Sequence, residues 1–591
     1  MPLAHPAARS SGIAALAFAS ALLATACAPS AEGPLAADVV LFNGTVLTVD
    51  AEDRIATAVA IKDHRILAVG ADTEILRLAG PETERIDLQG RTATPGLLDA
   101  HAHFLSGAAD RLFNLDLSYP EVKSIEDVKA LVAGRVAAAQ PGEWITGRGW
   151  DEGKLEELRY ILAADLDSVA PQNPVWLVHT MGHYGAANSA AMRLANLIRA
   201  TPDPVGGTID RAPDGTPTGV LKESAQRLVG GLVPGYSTEQ VRAGIRDLAR
   251  AFNAECMTGA KDPGVNPDGW SAYQDVLAQD SLSVRIFALW RVGRTVEAAQ
   301  EVIGRIAPFT KPYVSTGDDR LVSGGVKLYI DGSGGARTAW MYDDWNRGRD
   351  SVDAGNRGYP ATEPDVLREQ IRLFNDAGIH VSVHAIGDQG IDWVVDSYAA
   401  ALEANPVRGL RHGIIHANIP TDHALDVMAR LQKDFDAGFP EPSATFMWWI
   451  GDTYAGNFGP ERSQRLDPFR TFLSKGIRWA GGSDYGVTPF PARYGIWASV
   501  ARETERGVYG PTPFGTAESV GVRDALRSYT AWGAHQFFME DRIGSLEPGK
   551  YADIAVWDRN PYEVPTGELR DMKCEMTLFD GDVVYRAPTA P

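Results

Sequence analysis

Cysteine is scarce in this sequence, with only 3 among 591 residues. We assign Cys27 to N-terminal processing, which leaves Cys256 and Cys574 far apart along the chain. Neither a disulfide framework nor a thiolate zinc cluster is therefore expected, and Cys256, beside Met257, is interpreted as a small buried hydrophobic residue. Any metal site is expected to use nitrogen and oxygen ligands.

Dense basic runs, and basic stretches interleaved with aromatic residues, are also missing. The chain has 56 Lys and Arg against 76 Asp and Glu, which gives a formal charge of -20. Nucleic-acid binding is excluded on this ground. A composition of 45% hydrophobic and 22% charged residues is ordinary for a globular protein, and we expect a small-molecule substrate.

Residues 1–26 are predicted to be a signal peptide rather than part of the fold. Arg9 precedes an apolar stretch, Gly12–Ala24, that is too short to predict a membrane span. Ala24-Thr25-Ala26 offers a small-x-small cleavage site, and Cys27 resembles the lipidated cysteine of bacterial lipoproteins, although Ala24 stands where Leu is usual. We expect an exported, periplasmic protein with a lipid anchor on Cys27; a secreted soluble protein is the alternative.

Both ends of the chain are rich in β-forming residues. Residues 38–42 and 45–49 flank Asn43-Gly44, which predicts a β-hairpin with an Asn-Gly turn. Short β-rich runs recur close to the C-terminus. The pattern predicts one small β-sandwich formed by residues 27–94 and 542–591.

Between the two ends, residues 95–541 alternate β-rich runs with helical patterns such as Pro364–Ala377 and Asp422–Ala437. This alternation predicts an α/β fold with a parallel sheet, and eight strands are the number of a closed (β/α)8 TIM barrel. The eight predicted strands end near His101, Lys261, Trp290, Asp331, His384, His416, Met447 and Asp484. The long connection at about 104–255 is interpreted as an inserted cap over the barrel mouth.

His101 and His103 are separated by one residue at the end of the first predicted strand. Side chains two apart on a strand point to the same side, so both imidazoles can bind one metal ion. An isolated pair of this kind is more often structural. Further candidate ligands at the ends of later strands favour a metal site.

Lys327 shares one strand face with Tyr329 and Asp331, and that face is predicted to line the barrel interior. A buried lysine needs a partner, a lowered pKa or covalent modification. N-carboxylation would give Lys327 two anionic oxygens able to bridge two metals. The alternative is an ion pair between Lys327 and Asp331.

Two His-x3-His patterns occur, at 380–384 and 412–416. The intervening valines and isoleucines favour strands, in which residues four apart are separated by about 13 Å. One histidine of each pair can therefore join the site, and we select His384 and His416. His380 and His412 are expected to be core residues satisfied by hydrogen bonds.

Asp484 ends the eighth run, directly after Gly481-Gly482-Ser483. It is predicted to bind a metal and to take a proton from metal-activated water. An aspartate at a turn is usually structural, and it is the strand-end position that favours function.

Together these features resemble the amidohydrolase superfamily, and specifically its YtcJ-like branch that includes N-substituted formamide deformylases. The matching segments are PGLLDAHAHF at 95–104, GRGWD at 147–151, GHYGAANSAAM at 182–192, DGTPTGVLKE at 214–223, GVKLYIDGSGGARTA at 325–339, HAIGD at 384–388, GGSDYGVTP at 481–489 and GSLEPGKYADIAVWD at 544–558. The resemblance implies a metal-dependent hydrolase with a β-sandwich beside a distorted barrel. It implies a ligand set of His101, His103, Lys327, His384, His416 and Asp484, holding one or two divalent metal ions with zinc as the default.

The resemblance does not carry over a substrate, because the chain departs from relatives near the presumed pocket. Relatives often have Gln-Pro at the seventh strand, where residues 443–449 read SATFMWW, and a proline soon after the last aspartate, where Tyr485-Gly486 stands.

We expect hydrolysis of a non-peptide, amide-type C–N bond in a small, aromatic or hydrophobic substrate. His183, in the predicted cap, is a candidate to hydrogen-bond the developing oxyanion, with a structural histidine as the alternative. Arg337 is a candidate to orient a polar or anionic end, or else to pair with a nearby aspartate. Asp331 and Trp448 are further candidates for substrate binding.

Two alternatives stay open. The same metal site could hydrolyse an ester, lactone, carbamate or phosphoester, because the ligand spacing does not distinguish these bonds. A catalytically silent ligand-binding lipoprotein is the alternative from another class, and it would predict loss of at least one ligand.

Overall fold

In the computed structural model, the described residues are 36–310, 314–315, 319–345, 355–507 and 515–588. The predicted signal peptide at 1–26 and Cys27 lie outside them. Within these ranges no helix combines the length and the apolar character needed to cross a bilayer.

The central sheet has parallel strands whose spatial order follows the chain. They are Leu97–Asp99, Met257–Val265, Arg285–Arg291, Leu321–Tyr329, Val381–Ala385, Gly413–His416 and Phe439–Glu441. Val314–Ser315 adds an antiparallel pairing to the fourth of them. The strands are buried along nearly their whole length, as expected for a parallel sheet covered on both faces.

Amphipathic helices alternate with these strands, which is the arrangement of a TIM-like fold. They are Thr238–Asn253, Pro267–Ala278, Val296–Ile306, Pro364–Asp376, Asp388–Ala404 and Asp422–Phe435. Pro at the first position of Pro364–Asp376 and the Thr421 cap of Asp422–Phe435 explain where those two helices begin. Both were predicted from the sequence, and their positions are confirmed.

The eighth predicted strand is irregular, because residues 477–484 have no assigned strand. Its backbone nevertheless bonds to both neighbours. The amide of Gly482 donates to the carbonyl of Pro442 (3.1 Å) after the last regular strand, and the amide of Asp484 donates to the carbonyl of His101 (2.6 Å) after the first. The segment therefore joins the first and last strands of the sheet.

The seventh strand ends earlier than predicted, at Glu441 rather than Met447. Pro442 has no amide hydrogen to continue the ladder. The chain then forms the short helix Thr445–Trp449, so the prediction that Met447 ends a strand is wrong.

The inserted segment between the first two barrel strands has its own six-stranded sheet. Its strands are Leu115–Asp116, Ile145–Trp150, Val175–His179, Tyr184–Ala187, Gly207–Arg211 and Pro217–Glu223. Its helices are Phe104–Phe113, Ile125–Ala138, Ala163–Asp167, Ser189–Leu194 and Arg227–Gly230. A separate buried cluster that includes Val128, Ile145, Leu177 and Tyr184 holds this sheet and its helices together.

Two further sheets lie at the chain ends. One consists of Arg65–Gly70, Ala58–Lys62, Ala37–Phe42 and Ala79–Asp87, and the other of Asp582–Arg586, Cys574–Phe579, Ile554–Trp557, Thr92–Pro95, Thr45–Leu47 and Ile55–Ala56. The second sheet combines strands from both ends of the chain, with Ile554–Trp557 antiparallel to Thr92–Pro95. Leu41 and Ile61 of the first sheet and Val556 of the second belong to one buried cluster.

The predicted Asn-Gly hairpin is wrong. Ala37–Phe42 and Thr45–Leu47 do not pair; they belong to the two different terminal sheets. Asn43, at φ 59°, turns the chain from one sheet to the other, and its side chain donates to Asp87 (2.7 Å). A Cβ at Gly44 would lie 2.6 Å from the carbonyl oxygen of Arg91, so the turn also requires glycine there.

The remaining helices lie mostly in the C-terminal part of the chain. They are Asp72–Ile75, Thr445–Trp449, Gly451–Ser463, Phe469–Ser474, Ala492–Ala501, Val522–Ser528 and Ala531–Gln536, with 3₁₀ turns at Leu76–Leu78, Ser224–Gln226, Ala307–Phe309, Thr516–Glu518 and Thr566–Asp571.

Cys256 is not the free buried thiol that the sequence suggested. It forms a disulfide with Cys574, with a Cα–Cα distance of 5.5 Å and a sequence separation of 318. Cys256 directly precedes the strand Met257–Val265, and Cys574 opens a strand of the C-terminal sheet. The bond therefore ties the barrel sheet to the sheet that both chain ends share.

Arg285 makes a second connection between the barrel and the C-terminal sheet. It is fully buried at the start of a barrel strand, and its guanidinium donates to both carboxylate oxygens of Asp553 (2.7 and 2.9 Å) and to Asp580 (3.0 Å). Bidentate pairing of this kind fixes orientation as well as charge.

Replacing Arg285 with Met is expected to lower the free energy of unfolding by about 3–5 kcal/mol, because Asp553 would stay buried without its guanidinium partner. Denaturant unfolding followed by circular dichroism measures this loss. Arg372→Met is the matched control, since its pairs with Glu369 and Asp376 are half-exposed and worth about 1 kcal/mol or less. Equal losses in the two variants would contradict a special role for the buried pair.

Candidate metal centre

The predicted ligands gather where the barrel strands end. His103, Lys327, His384, His416 and Asp484 line a cavity of 1090 Å³ at the carboxyl ends of the strands. His101 is fully buried directly behind them. The barrel is the reason for this convergence, since parallel strands place their carboxyl ends on one side of the sheet.

Asp484 is the centre of the group. Its Oδ1 lies 3.2 Å from Nε2 of His101 and 3.3 Å from Nε2 of His103, and its Oδ2 lies 3.9 Å from Nε2 of His416. Nζ of Lys327 is 3.4 Å from Nε2 of His101. The structure thus brings five of the six predicted ligands around one point.

His384 lies at the edge of this group. Its ring centroid is 4.7 Å from that of His416, but its Nε2 is 2.9 Å from the carbonyl oxygen of Gly332 and 3.6 Å from Oδ1 of Asp331. The imidazole of His384 is therefore directed toward Gly332 and Asp331 and not toward Asp484.

Two nitrogens of the group, Nδ1 of His101 and Nδ1 of His416, are buried without a hydrogen-bond partner in the described part of the chain. Ligand atoms of His101, His416 and Asp484 lie within 4.8 Å of one another. Buried polar atoms usually have partners, and imidazole with carboxylate is a donor set suited to a divalent cation, so the residues fit a metal.

The electrostatics agree with ligand roles. Burial, together with the charge of Lys327, lowers the pKa of His101 to about 3, which keeps a neutral imidazole with a free lone pair at physiological pH. Burial also lowers the pKa of Lys327 to about 7. Burial alone would raise the pKa of Asp484, but hydrogen bonds with His101 and His103 hold it well below its ordinary value.

Asp99 positions the two ends of the ligand set. Its buried carboxylate accepts bonds from the amide of His101 (3.0 Å) and from the amide and hydroxyl of Ser483 (2.9 and 2.6 Å). A Cβ at Gly482 would lie 2.8 Å from the backbone nitrogen of His101, so glycine is required for this approach. His101 and Asp484 are therefore held together by their own backbones.

His380 and His412 are buried core residues, as predicted. His380 bonds through Nδ1 to the carbonyl of Leu410 (2.9 Å) and through Nε2 to the hydroxyl of Ser382 (2.9 Å). Nδ1 of His412 accepts from the amide of Val381 (3.1 Å). These histidines are occupied by protein bonds, which confirms the expectation that they stay outside the site.

Lys327, Tyr329 and Asp331, which were predicted to share one strand face, all line the cavity. Asp331 does not neutralise Lys327. Its carboxylate accepts from the backbone amides of Trp340 (3.0 Å), Ile386 (3.1 Å) and Gly387 (2.8 Å). Asp331 therefore anchors the loops around His384.

His183 lines the same cavity from the inserted segment. Its Nδ1 lies 3.0 Å from Oε1 of Glu223, a carboxylate that also accepts from the Thr338 hydroxyl (2.5 Å). Burial opposes protonation, yet Glu223 raises the pKa of His183 overall. Because Glu223 occupies Nδ1, Nε2 is the ring nitrogen that can reach a ligand. Glu223 was not predicted as a site residue, although it ends the motif at 214–223.

Trp448 is not in the site. It lies on the helix Thr445–Trp449 rather than on a strand, and its ring packs on Trp449 (5.1 Å) and Trp497 (6.0 Å). Its indole also donates to Glu505. Because the seventh strand ends at Glu441, Trp448 and Trp449 lie on the following helix and are buried in the core.

Arg337 is half-buried and does not line the cavity. Five other arginines do, and three of them, Arg227, Arg291 and Arg294, were not anticipated and have no ion-pair partner among the described residues. Sequence reasoning missed these three, although Arg291 directly follows the predicted strand end at Trp290 and Arg294 lies three residues further along; a strand-end position is the signal that identified the metal ligands.

Comparison with known proteins agrees with this architecture. An amidohydrolase family model matches residues 84–585. The chain is 30% identical to the N-substituted formamide deformylase of Arthrobacter pascens, covering 93% of this chain and 98% of the relative, and 28% identical to YtcJ of Bacillus subtilis (strain 168), covering 92% and 98%. The crystal structure of a metal-dependent hydrolase from Pyrococcus horikoshii OT3 has the same fold, with a TM-score of 0.68 at 23% identity over 90% of this chain and 99% of that one. The chain therefore belongs to the amidohydrolase family.

Proposed function

We propose that this protein is a metal-dependent hydrolase that cleaves a non-peptide, amide-type C–N bond in a small molecule. The observation that carries the proposal is the buried group of His101, His416 and Asp484, whose ligand atoms lie within 4.8 Å of one another beside a large cavity. A relative named as an N-substituted formamide deformylase, and a structural neighbour named as a metal-dependent hydrolase, support this reaction class.

The ligands that we propose are His101, His103, His384, His416 and Asp484, with Lys327 as an N-carboxylated sixth. Lys327 is fully enclosed, and within the described residues its Nζ has an imidazole nitrogen, not a carboxylate, at hydrogen-bond distance. Reaction of the neutral amine with carbon dioxide would release one proton and leave a carbamate with two oxygen ligands. We propose one or two divalent ions, with zinc as the first choice for this donor set.

When bound, such an ion would acidify a water molecule and polarise the substrate carbonyl. The chain's own residues would complete the reaction. Asp484, held as a carboxylate, would accept the proton of the attacking water and deliver it to the leaving nitrogen. His183, oriented by Glu223 at 3.0 Å, would donate a hydrogen bond from Nε2 to the carbonyl oxygen as negative charge develops there.

We also propose that the inserted segment at about 104–255 acts as a cap and that the two terminal sheets form a β-sandwich. Residues lining the cavity come from both the inserted segment and the barrel, which supports the first assignment. We further propose export to the periplasm with lipid attachment at Cys27. The Cys256–Cys574 disulfide suits an oxidising compartment and supports export.

Substitution of Asp484 with Asn should lower kcat by about 10²-fold or more, because the proton acceptor is lost while side-chain volume is kept. The measurement is a hydrolysis screen of N-formyl, N-acyl, cyclic amide and ester compounds, with the wild-type protein assayed before and after chelation. Circular dichroism checks that the variant folds. Unchanged turnover by Asp484→Asn would remove this residue from proton transfer.

Metal content tests the ligand assignment directly. His416→Ala should lose most bound metal, since it removes an imidazole from the buried group, whereas His412→Ala should retain it because that ring bonds to Val381 and Asn375. Both are buried histidines four residues apart, which makes them a matched pair. Elemental analysis of the purified variants gives the answer, and equal metal loss in both would contradict the selection of His416.

A further inference from the structure

Three arginines that line the cavity form no ion pair with the described residues. Arg227 lies on the helix Arg227–Gly230 of the inserted segment, Arg291 ends the strand Arg285–Arg291, and Arg294 follows three residues later. Among the residues that the structure describes, none of the three guanidinium groups has a hydrogen-bond or ion-pair partner. Arg227 belongs to the inserted segment and the other two to the barrel, and all three line the same cavity.

This arrangement is unusual for so acidic a protein, whose formal charge is -20. Other arginines at the same cavity are paired, as Arg148 is with Asp110 (3.5 Å) and Arg305 with Glu301 (3.7 Å). With 76 carboxylates in the chain, partners for three more arginines would be easy to supply. The carboxylates that line the cavity, Glu223, Asp331 and Asp484, form no ion pair with these three arginines, so positive charge is concentrated on the arginine side of the cavity, where an anion would neutralise it.

The three charges also affect one another. Arg294 is reached by solvent from the cavity, but desolvation by its surroundings and then the charge of Arg227 lower the pKa of its guanidinium, and Arg291 acts in the same direction. Repulsion of this kind is relieved when an anion binds between the guanidinium groups.

The cluster lies close to the proposed reaction centre. Arg291 is the register partner of Lys327 on the neighbouring strand, so their backbones are separated by about 4.8 Å. Arg294 is near enough to Glu223, the partner of His183, to lower the pKa of that carboxyl group. One compact molecule could therefore contact both the metal ligands and the arginines.

We propose that Arg227, Arg291 and Arg294 bind an anionic group of the substrate, a carboxylate or a phosphate, at the end away from the hydrolysed bond. The inference rests on the proposed function and narrows its substrate class to anionic amides. Guanidinium groups suit this role because their planar donors match the oxygens of carboxylate and phosphate in bidentate pairs. Arg337, the earlier candidate for this task, does not face the cavity.

A matched pair of N-formyl compounds tests the proposal. The acid 4-(formamidomethyl)benzoate and the neutral 4-(formamidomethyl)benzamide have the same size and the same scissile bond. Wild-type protein should prefer the benzoate by about tenfold or more in kcat/KM, since charge-assisted bonds are the stronger ones. In Arg291→Gln/Arg294→Gln this ratio should fall to near one, mainly through a higher KM for the benzoate.

Arg85→Gln is the control for net charge. Arg85 is exposed on the strand Ala79–Asp87 of a terminal sheet, so this variant should keep the wild-type preference. A second double variant, Arg291→Lys/Arg294→Lys, keeps the positive charges but loses the bidentate donors. It should give a ratio of kcat/KM for benzoate over benzamide between those of the wild type and the double Gln variant.

The outcomes separate this inference from the proposed function. Metal-dependent hydrolysis of both compounds at equal kcat/KM would overturn the arginine assignment and leave the reaction class standing. If neither compound is hydrolysed, calorimetric titration with the benzoate decides: binding that is lost in the double Gln variant supports the anion site, and no binding by the wild type overturns it. A preference for phosphate over carboxylate, measured with 4-(formamidomethyl)phenyl phosphate, would identify the anion.

Discussion

The candidate metal centre depends on the contact between Asp99 and Ser483. These residues are 384 positions apart, yet the Asp99 carboxylate accepts bonds from both the amide and the hydroxyl of Ser483, and from the amide of His101. Asp99 holds the backbone of His101 itself and that of Ser483, the residue before Asp484, so the side chains of His101 and Asp484 approach to 3.2 Å. Burial raises the pKa of Asp99 to about 7, although these bonds favour its ionised form. The hydrogen bonds that connect the first and last segments of the barrel therefore also bring the candidate metal ligands His101 and Asp484 together.

Two buried lysines show how local partners separate structure from chemistry inside one barrel. Lys261 is bonded to Glu441 (2.7 Å) and to the hydroxyl of Ser382 (3.0 Å), which uses its donors within the barrel floor. Lys327, two strands away, faces the imidazole of His101. An enclosed lysine without a paired carboxylate is the more reactive of the two, because its neutral form is favoured. The same sheet thus supplies one structural ion pair and one candidate ligand.

Much of the site could be predicted from the sequence because it follows from strand order alone. Once residues such as His101, His416 and Asp484 were placed at the ends of parallel strands, the barrel required them to converge, and the structure brings them together. The same reasoning separated His412 from His416. Periodicity was sufficient here because each strand was marked by a clear apolar run.

Features that depend on distant contacts were not predictable in this way. The Cys256–Cys574 bond joins residues that periodicity cannot relate, and the Asn43-Gly44 turn has the local chemistry of a hairpin but connects two sheets. Trp448 was misplaced because the strand before it ends at Glu441. In each case the deciding interaction lies outside the window in which a sequence pattern is read.

The backbone of the site supports the view that it is assembled before any ligand binds. His416, Ala417 and Asp484 have φ angles of 72°, 46° and 54°, in the left-handed region that residues with side chains seldom adopt. Each such residue costs about 1–3 kcal/mol and persists only where neighbouring contacts fix it. Here the amide of Asp484 donates to the carbonyl of His101 (2.6 Å), and the amide of Ala417 donates to the carbonyl of Ala385 (3.1 Å). Backbone hydrogen bonds between neighbouring barrel segments therefore fix these left-handed conformations. A cation would therefore find His101, His416 and Asp484 already in place, and loss of these backbone bonds would affect metal affinity and folding together.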